Sequence, residues 1–362
     1  MKLMILSAAK ETGVVDALCE AAAQRGVPCL TADPFAVCAE DAGGVSNPWQ
    51  QRVPRLFGAV YRRGQTLRRT GLPAPYLTNP AFAKKLNDYL RGSGCDAVLC
   101  CDRVCTEAML DLRSREGCRI PCYALLTDYT GLQGSAGGQL DGYFIPHRDL
   151  TQALVSDGVP PERIFPEGVP VSRRFGLRRS KDAARGTLAI PRDERVYLIL
   201  AERLRFDEIT GLCDTLLRTE PDGCEVCVLA ERKNPIRAAL ERRYADSARV
   251  RVVTRPRRIE LYLQCADVVL LSPDGVDSTE AAVAGVPLVH LLASREAERE
   301  TARFFSRREM SLSCRSVPDA ASKARRLAEQ TAEAARMIRR QARDTGADAA
   351  DRILDRLLRG TI

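Results

Sequence analysis

The sequence predicts an α/β protein of two doubly wound domains, residues 1–171 and 172–362. Short apolar runs rich in β-branched residues alternate with amphipathic stretches in both halves, the pattern of buried parallel strands covered by helices. A Pro- and Gly-rich stretch, PEGVPV at 166–171, is followed by a strongly basic one at 172–185, which puts the junction near Val169 to Arg174. At 362 residues the chain is also long for a single core.

In order, Lys2 to Leu6 reads as a first strand, followed by a loop through Ala8 to Thr12. Gly13 to Arg25 is a helix closed by Gly26, and Val27 to Leu30 is a second strand ended by Ala32-Asp33-Pro34. Gly43 to Pro48 is a linker. Asn79-Pro80 opens a helix through Leu90, which Gly92-Ser93-Gly94 terminates. Asp96 to Cys100 is a strand, Val104 to Arg115 a helix, and Ile120 to Leu126 a strand that enters Thr127-Asp128-Tyr129-Thr130. A loop from Gly131 to Gly138, a short strand from Gly142 to Ile145 and a helix from Asp149 to Asp157 complete the first half. Gly158 and Pro160-Pro161 stop that helix. The second half restarts the alternation, with strands at Val196 to Leu200, Glu225 to Ala230, Val250 to Val253, Val268 to Leu271 and Leu288 to Leu292. Helices are expected at Glu208 to Arg218, Pro235 to Tyr244, Ile259 to Cys265, Ser278 to Ala284 and Glu296 to Arg308. The tail from Asp319 to Leu358 is almost wholly helical.

The richest stretch is VVLLSPDGVDSTEAAVAGVPLV, residues 268–289. A buried strand runs into Ser272-Pro273-Asp274-Gly275, after which Ser278 and Thr279 can cap a helix that Gly285-Val286-Pro287 ends. Such a junction sets free backbone N–H groups at the carboxyl edge of a parallel sheet, where open α/β sheets bind ligands and helix N-termini favour anions. The pattern equally fits a βαβ turn without a ligand.

A hydrophobic fraction of 45% and a charged fraction of 28% describe an ordinary soluble protein. Met1 to Leu6 is too short for the apolar core of a signal peptide, and no apolar run approaches the ~18 residues that span a bilayer. A cytoplasmic protein is therefore expected. The 14 cysteines are scattered through expected strands and helices, as reduced thiols packed like small hydrophobes would be. Cys224 and Cys227 lie three apart on an expected strand and so face opposite sides, and with two histidines, His147 and His290, a zinc site is not expected. The formal net charge is +8. Arg52, Arg55, Arg62, Arg63, Arg68 and Arg69 form a run without acids, interleaved with Leu56, Phe57, Val60, Tyr61 and Leu67 at roughly helical spacing. A basic amphipathic segment of this kind suits an anionic membrane surface, and it equally suits a solvated face. Aromatics make up 5% of the chain and no nucleic-acid-binding signature is present.

Three segments, YALLTDYTGL, DGYFIPHRDLTQALVSDGVPPERIFPEGVPVSRRF and LLSPDGVDSTEAAVAGVPLV, resemble the monogalactosyldiacylglycerol synthase and processive diacylglycerol glucosyltransferase family. The likeness runs in order from Lys2 to about Met310. It implies two Rossmann-like domains in the GT-B arrangement, and transfer of a hexose from a UDP-sugar to a diacylglycerol-type lipid, inverting and without a catalytic metal or other cofactor. By that resemblance Glu280 holds the ribose hydroxyls. Backbone N–H groups from Gly275 to Thr279, with Ser272, Pro273, Ser278 and Thr279 in the same segment, hold the diphosphate. Thr254 and Arg255 lie in the loop that reads uracil. The implied partners are a UDP-sugar, a lipid acceptor and an anionic membrane surface met by the Arg52 to Arg69 segment, so a peripheral place on the inner membrane face is expected.

The family's opening strand-GGGH reads Ser7-Ala8-Ala9-Lys10-Glu11-Thr12 here, without the histidine. The glycine-rich loop opening its second domain reads Ala201-Glu202-Arg203-Leu204-Arg205-Phe206-Asp207, its PGG reads PDG, and its PGQE-like segment reads Arg295-Glu296-Ala297-Glu298. Side chains thus stand where glycines admit a phosphate, and Arg203 or Arg205 is a candidate to replace those backbone donors. Asp128 and Glu11 are the candidate bases for the acceptor hydroxyl. Asp128 also reads as a turn former before Tyr129-Thr130, His147 as a link between strand and helix, and His290 as a core residue. The alternative function is a catalytically degenerate homologue that binds a nucleotide, a lipid or a protein.

Overall fold

A computed structural model describes residues 1–8, 12–39, 80–132, 140–220, 223–232, 234–256, 258–291 and 293–360. Among these, the strands form two six-stranded sheets with parallel pairing throughout. The first has the order β2-β1-β3-β4-β5-β6, built from β1 (Leu3–Leu6), β2 (Cys29–Ala32), β3 (Ala97–Cys100), β4 (Cys122–Leu125), β5 (Gly142–Phe144) and β6 (Ile164–Phe165). The second has the order β12-β11-β10-β7-β8-β9, from β7 (Arg195–Leu200), β8 (Cys224–Ala230), β9 (Val250–Thr254), β10 (Val268–Leu271), β11 (Leu288–His290) and β12 (Leu312–Ser313). β1, β3, β4, β8 and β10 are buried along their whole length, which explains their continuous apolar runs.

The two-residue strands β6 and β12 are too short to leave a periodic signal. The second strand was expected at Val27 to Leu30 and is found two residues later, because Pro28 has no N–H to give to the ladder. Pro28 instead accepts from the Leu3 N–H, and pairing begins beyond it.

The chain divides into two compact units, residues 1–127, 131–167 and 350–362 in one and residues 128–130 and 168–349 in the other. The division falls at Glu167/Gly168, whereas the sequence suggested 171/172. Residues 350–362 group with the first unit rather than with the C-terminal one, the crossing back of the last helix that the GT-B resemblance allows. Asp351 and Asp355 of that tail pair with Arg25, and Arg352 and Arg356 with Glu167. The described cysteines are free thiols. Among the described residues no helix is long and apolar enough to cross a membrane, and no group of three or more His, Cys, Asp or Glu is placed to hold a metal.

Candidate active site

In the C-terminal unit the strand order reverses at β7, which lies between β10 and β8. The register sets Leu271 beside both Leu200 and His290, so the loops leaving β7 and β10 start at one level of the carboxyl edge. This is the switch point at which doubly wound sheets open a crevice for a ligand. Ala201 to Arg205 leaves β7 at this point and Ser272-Pro273-Asp274 leaves β10.

The helix after β10 begins at Gly275, three residues before the expected Ser278. Asp274 is its N-cap, since Asp274 Oδ1 accepts from the backbone N–H groups of Val276 (3.0 Å) and Asp277 (3.2 Å). The Ser278 N–H already bonds the Asp274 carbonyl at 3.0 Å. Gly285, at φ 71°, ends the helix in the left-handed conformation. The expectation that Ser278 and Thr279 cap this helix is therefore corrected: both lie inside it and both hydroxyls are engaged. Ser278 Oγ is 2.9 Å from Nε2 of the buried His290. Thr279 Oγ1 donates to the Gly275 carbonyl at 2.6 Å. That uses its single proton, so the Tyr129 hydroxyl, 2.9 Å away, is the donor to Thr279. The Tyr129 ring packs on Phe304 and Phe305, and burial pushes its phenol up to about 12.

Arg203, from the loop after β7, pairs with the second oxygen of Asp274. Burial raises the pKa of Asp274 from its ordinary value, Asp277 adds to the rise, and Arg203 opposes it. Arg255, just past β9, reaches Asp277 Oδ1 at 2.7 Å, Glu280 Oε2 at 3.5 Å and Glu202 Oε1 at 3.8 Å. Glu280 is 5% exposed, and its Oε2 is buried without a hydrogen-bond partner. Burial, then Asp277, pushes its pKa up to about 8 against the pull of Arg255. The Glu202 carboxyl is also raised by burial; its Oε2 accepts from the Glu231 N–H at 3.2 Å while its Oε1 makes no hydrogen bond. Four carboxylates (Glu202, Asp274, Asp277 and Glu280) thus surround two guanidinium groups, Arg203 and Arg255.

A model of the monogalactosyldiacylglycerol synthase family matches residues 51–171. A processive diacylglycerol beta-glucosyltransferase of Bacillus licheniformis is 25% identical over 200 residues, 55% of this chain and 52% of that one. Over these stretches the chain is similar to members of this family. Its match spans about half the length of that relative. HepE from Anabaena, solved in complex with UDP and glucose, superposes with a TM-score of 0.63 at 12% identity over 99% of both chains. MurG from Acinetobacter baumannii superposes with a TM-score of 0.62 at 13% identity, also over 99% of both. These structures show the fold, which is that of the GT-B glycosyltransferases with two Rossmann-like units.

Of the family-implied residues, Arg255, Ser272, Pro273, Gly275, Ser278, Thr279 and Glu280 gather at the switch point, and Arg203, the candidate for the lost glycine loop, joins them. Thr254 is exposed at the end of β9, where its hydroxyl accepts from Arg237 at 3.3 Å. Asp128 groups with the C-terminal unit and keeps an exposed side chain. Desolvation raises its pKa and Glu298 adds to the rise, Arg203 and Arg295 pull it down, and the contact of the carboxyl with solvent screens the shift. Glu298 Oε2 accepts from the Arg295 N–H at 3.1 Å and its Oε1 pairs with the Arg295 Nε at 3.1 Å at the start of the next helix, a local use of the segment that replaced PGQE. His147 Nδ1 accepts from the Asp149 N–H at 3.2 Å, a turn cap. Glu11 and Arg52, Arg55, Arg62, Arg63, Arg68 and Arg69 lie outside the described residues.

Sequence reasoning missed two participants. Glu202 joins Asp277 in neutralising Arg255, and Tyr129 closes on Thr279. The Asp-Gly step after a strand was the available signal for the helix start, because aspartate ranks with serine as an N-cap. No local pattern links Arg255 to acids on two other segments.

Proposed function

We propose that the chain is a UDP-sugar-dependent hexosyltransferase acting on a diacylglycerol-type lipid at a membrane surface, with inversion and without a metal. The observation that carries the nucleotide site is Glu280 Oε2 at the switch point of the second sheet, buried without a hydrogen bond and with only the Arg255 guanidinium near it, at 3.5 Å. A buried carboxylate oxygen without a donor is costly, and a ribose hydroxyl supplies the missing O–H. The family match, the glucosyltransferase relative and the UDP-bound fold neighbour support this reading. Asp128, exposed and with a raised pKa, is the group we assign to take the proton of the acceptor hydroxyl. The Arg52 to Arg69 segment is assigned to the anionic membrane, on the cytoplasmic face.

Thermal unfolding with and without UDP tests the donor site, since a ligand at ~100 times its Kd stabilises by about 2.7 kcal/mol. The Glu280→Ala variant should lose the shift; an unchanged shift removes Glu280 from the ribose role. Hexose transfer to a panel of lipid acceptors tests turnover. Binding to anionic vesicles should be salt-sensitive and should weaken when Arg62 and Arg63 become Glu; equal binding to neutral vesicles refutes the membrane assignment.

A second reading has its own observation. Asp274 already holds the two amides that a diphosphate would use, and Arg203 is paired to it. A relative that no longer turns over a sugar nucleotide, and binds a nucleotide, lipid or protein without chemistry, accounts for this closure. Absence of any UDP shift at millimolar UDP favours it.

A further inference from the structure

The geometry points to Asp274 as the residue that controls whether this site admits a nucleoside diphosphate: its carboxylate occupies the amides and the guanidinium that the ligand's phosphates would need. The inference rests on the nucleotide reading of the switch point and adds a competitor internal to the chain.

Asp274 caps a ten-residue helix and is itself buried, 8% exposed. Oδ1 accepts from Val276 and Asp277, and Oδ2 pairs with Arg203. The carboxylate therefore presents to this helix end what a phosphate presents to others, two anionic oxygens shared between backbone N–H groups and an arginine. Six residues further along the same helix, Glu280 Oε2 is buried without a hydrogen bond, its ion-pair partner Arg255 standing 3.5 Å away. The helix end is thus satisfied from within, while the Glu280 oxygen still lacks a hydrogen-bond donor. A nucleoside hydroxyl can supply that donor. A diphosphate must also displace Asp274 from both amides, or lie beside a carboxylate of its own sign.

Arg203 is the group that changes partner. When a diphosphate enters, its guanidinium passes from Asp274 to the phosphates, and Asp274 turns out of the helix end. The loop leaving β7 carries arginine rather than glycine at this point, so the cation that holds the competitor in place is also the one available to the ligand. Position 274 then sets the balance between phosphate-bearing and phosphate-free ligands, and uridine and UDP are the probes that separate them.

Calorimetric titration of UDP and of uridine into the wild type, Asp274→Asn and Asp274→Gly measures this. Asparagine keeps a capping oxygen without the charge, and glycine removes the side chain; thermal unfolding checks that each variant folds, and Asp274→Asn carries the test should the glycine variant not. UDP should bind both variants at least tenfold more tightly than the wild type, while uridine changes less than twofold. Adding Arg203→Ala to Asp274→Asn should reverse most of the gain. UDP binding confined to the variants also supports the inference. Wild-type UDP affinity equalled or exceeded by neither variant overturns it and leaves the nucleotide site standing. A gain shared equally by uridine overturns it too, as general loosening of the loop. Failure of all three proteins to bind either probe removes the nucleotide reading and this inference with it.

Discussion

The Ser278 hydroxyl lies 2.9 Å from Nε2 of His290, and the Ser311 hydroxyl lies 3.1 Å from Nδ1 of the same ring. A neutral imidazole offers one donor and one acceptor, so it can satisfy both hydroxyls; an imidazolium offers two donors and no acceptor. The ring is 0% exposed, and burial lowers its pKa from 6.5 to about 3. Between those values the unfolded chain binds a proton that the folded one refuses. The contribution is therefore present above pH 6.5 and is lost progressively as pH falls towards about 3. His290→Leu should cost roughly 2–3 kcal/mol at neutral pH, by leaving two buried hydroxyls unpaired. It should also flatten the acid limb of a urea-denaturation series run between pH 7 and pH 4, and an unaltered slope would assign that limb to other groups.

Glu280 titrates with the opposite consequence. Its pKa rises from 4.5 to about 8 on folding, so between these values the folded chain keeps a proton that the unfolded chain has lost. Stability from this group is intact below pH 4.5 and is lost as pH rises through about 8. Glu280→Gln should become steadily more stable than the wild type as pH increases across that window, with no further gain above it. Denaturation midpoints at pH 5, 7 and 9 check this. A difference independent of pH would mean that Arg255 keeps the carboxylate ionised throughout.

These two residues also mark what could be read in the sequence and what could not. Strand β10 was placed residue for residue, because a run such as VVLL buried on both faces has no competing pattern. His290 was recognisable as a core histidine from its apolar flanks. The start of the neighbouring helix was misplaced because Ser278 and Thr279 are good caps in isolation. Only the fold reveals that His290 and the Gly275 carbonyl engage their hydroxyls, leaving the cap to Asp274. The pairing of Arg203 with Asp274 joins segments 71 residues apart, and no periodicity encodes it.

Gly285 combines two demands that one substitution can separate. Its φ of 71° disfavours any side chain, and a Cβ there would collide with the Arg178 guanidinium, whose Nη1 donates to the Ala284 carbonyl at 3.1 Å. Gly285→Ala should destabilise by at least ~1 kcal/mol from the left-handed backbone alone. The double variant with Arg178→Ala should recover the collision and keep the backbone cost. Denaturation of the four proteins as a cycle gives the coupling, and strict additivity would show that the arginine simply moves aside.

Arg25 ties the last helix, Ala349–Gly360, to the first unit. Its Nε donates to Asp355 at 2.9 Å, its Nη1 pairs with Asp351, and its Nη2 reaches the Asp351 carbonyl at 3.4 Å. Asp355 is half exposed and its pair is worth little, whereas Asp351 is 8% exposed and its pair is made largely out of solvent. Arg25→Ala should therefore cost roughly 1–3 kcal/mol and speed amide exchange along residues 350–360. Arg25→Lys should restore less than half of the loss, since one ammonium cannot reproduce the fork that spans two carboxylates and a carbonyl. Asp351→Asn placed in the Arg25→Ala background should cost less than Asp351→Asn alone, because the guanidinium it pairs with is already gone. An equal cost in both backgrounds would show that Asp351 is held chiefly by partners other than Arg25, and that the arginine is a surface ion pair of small consequence.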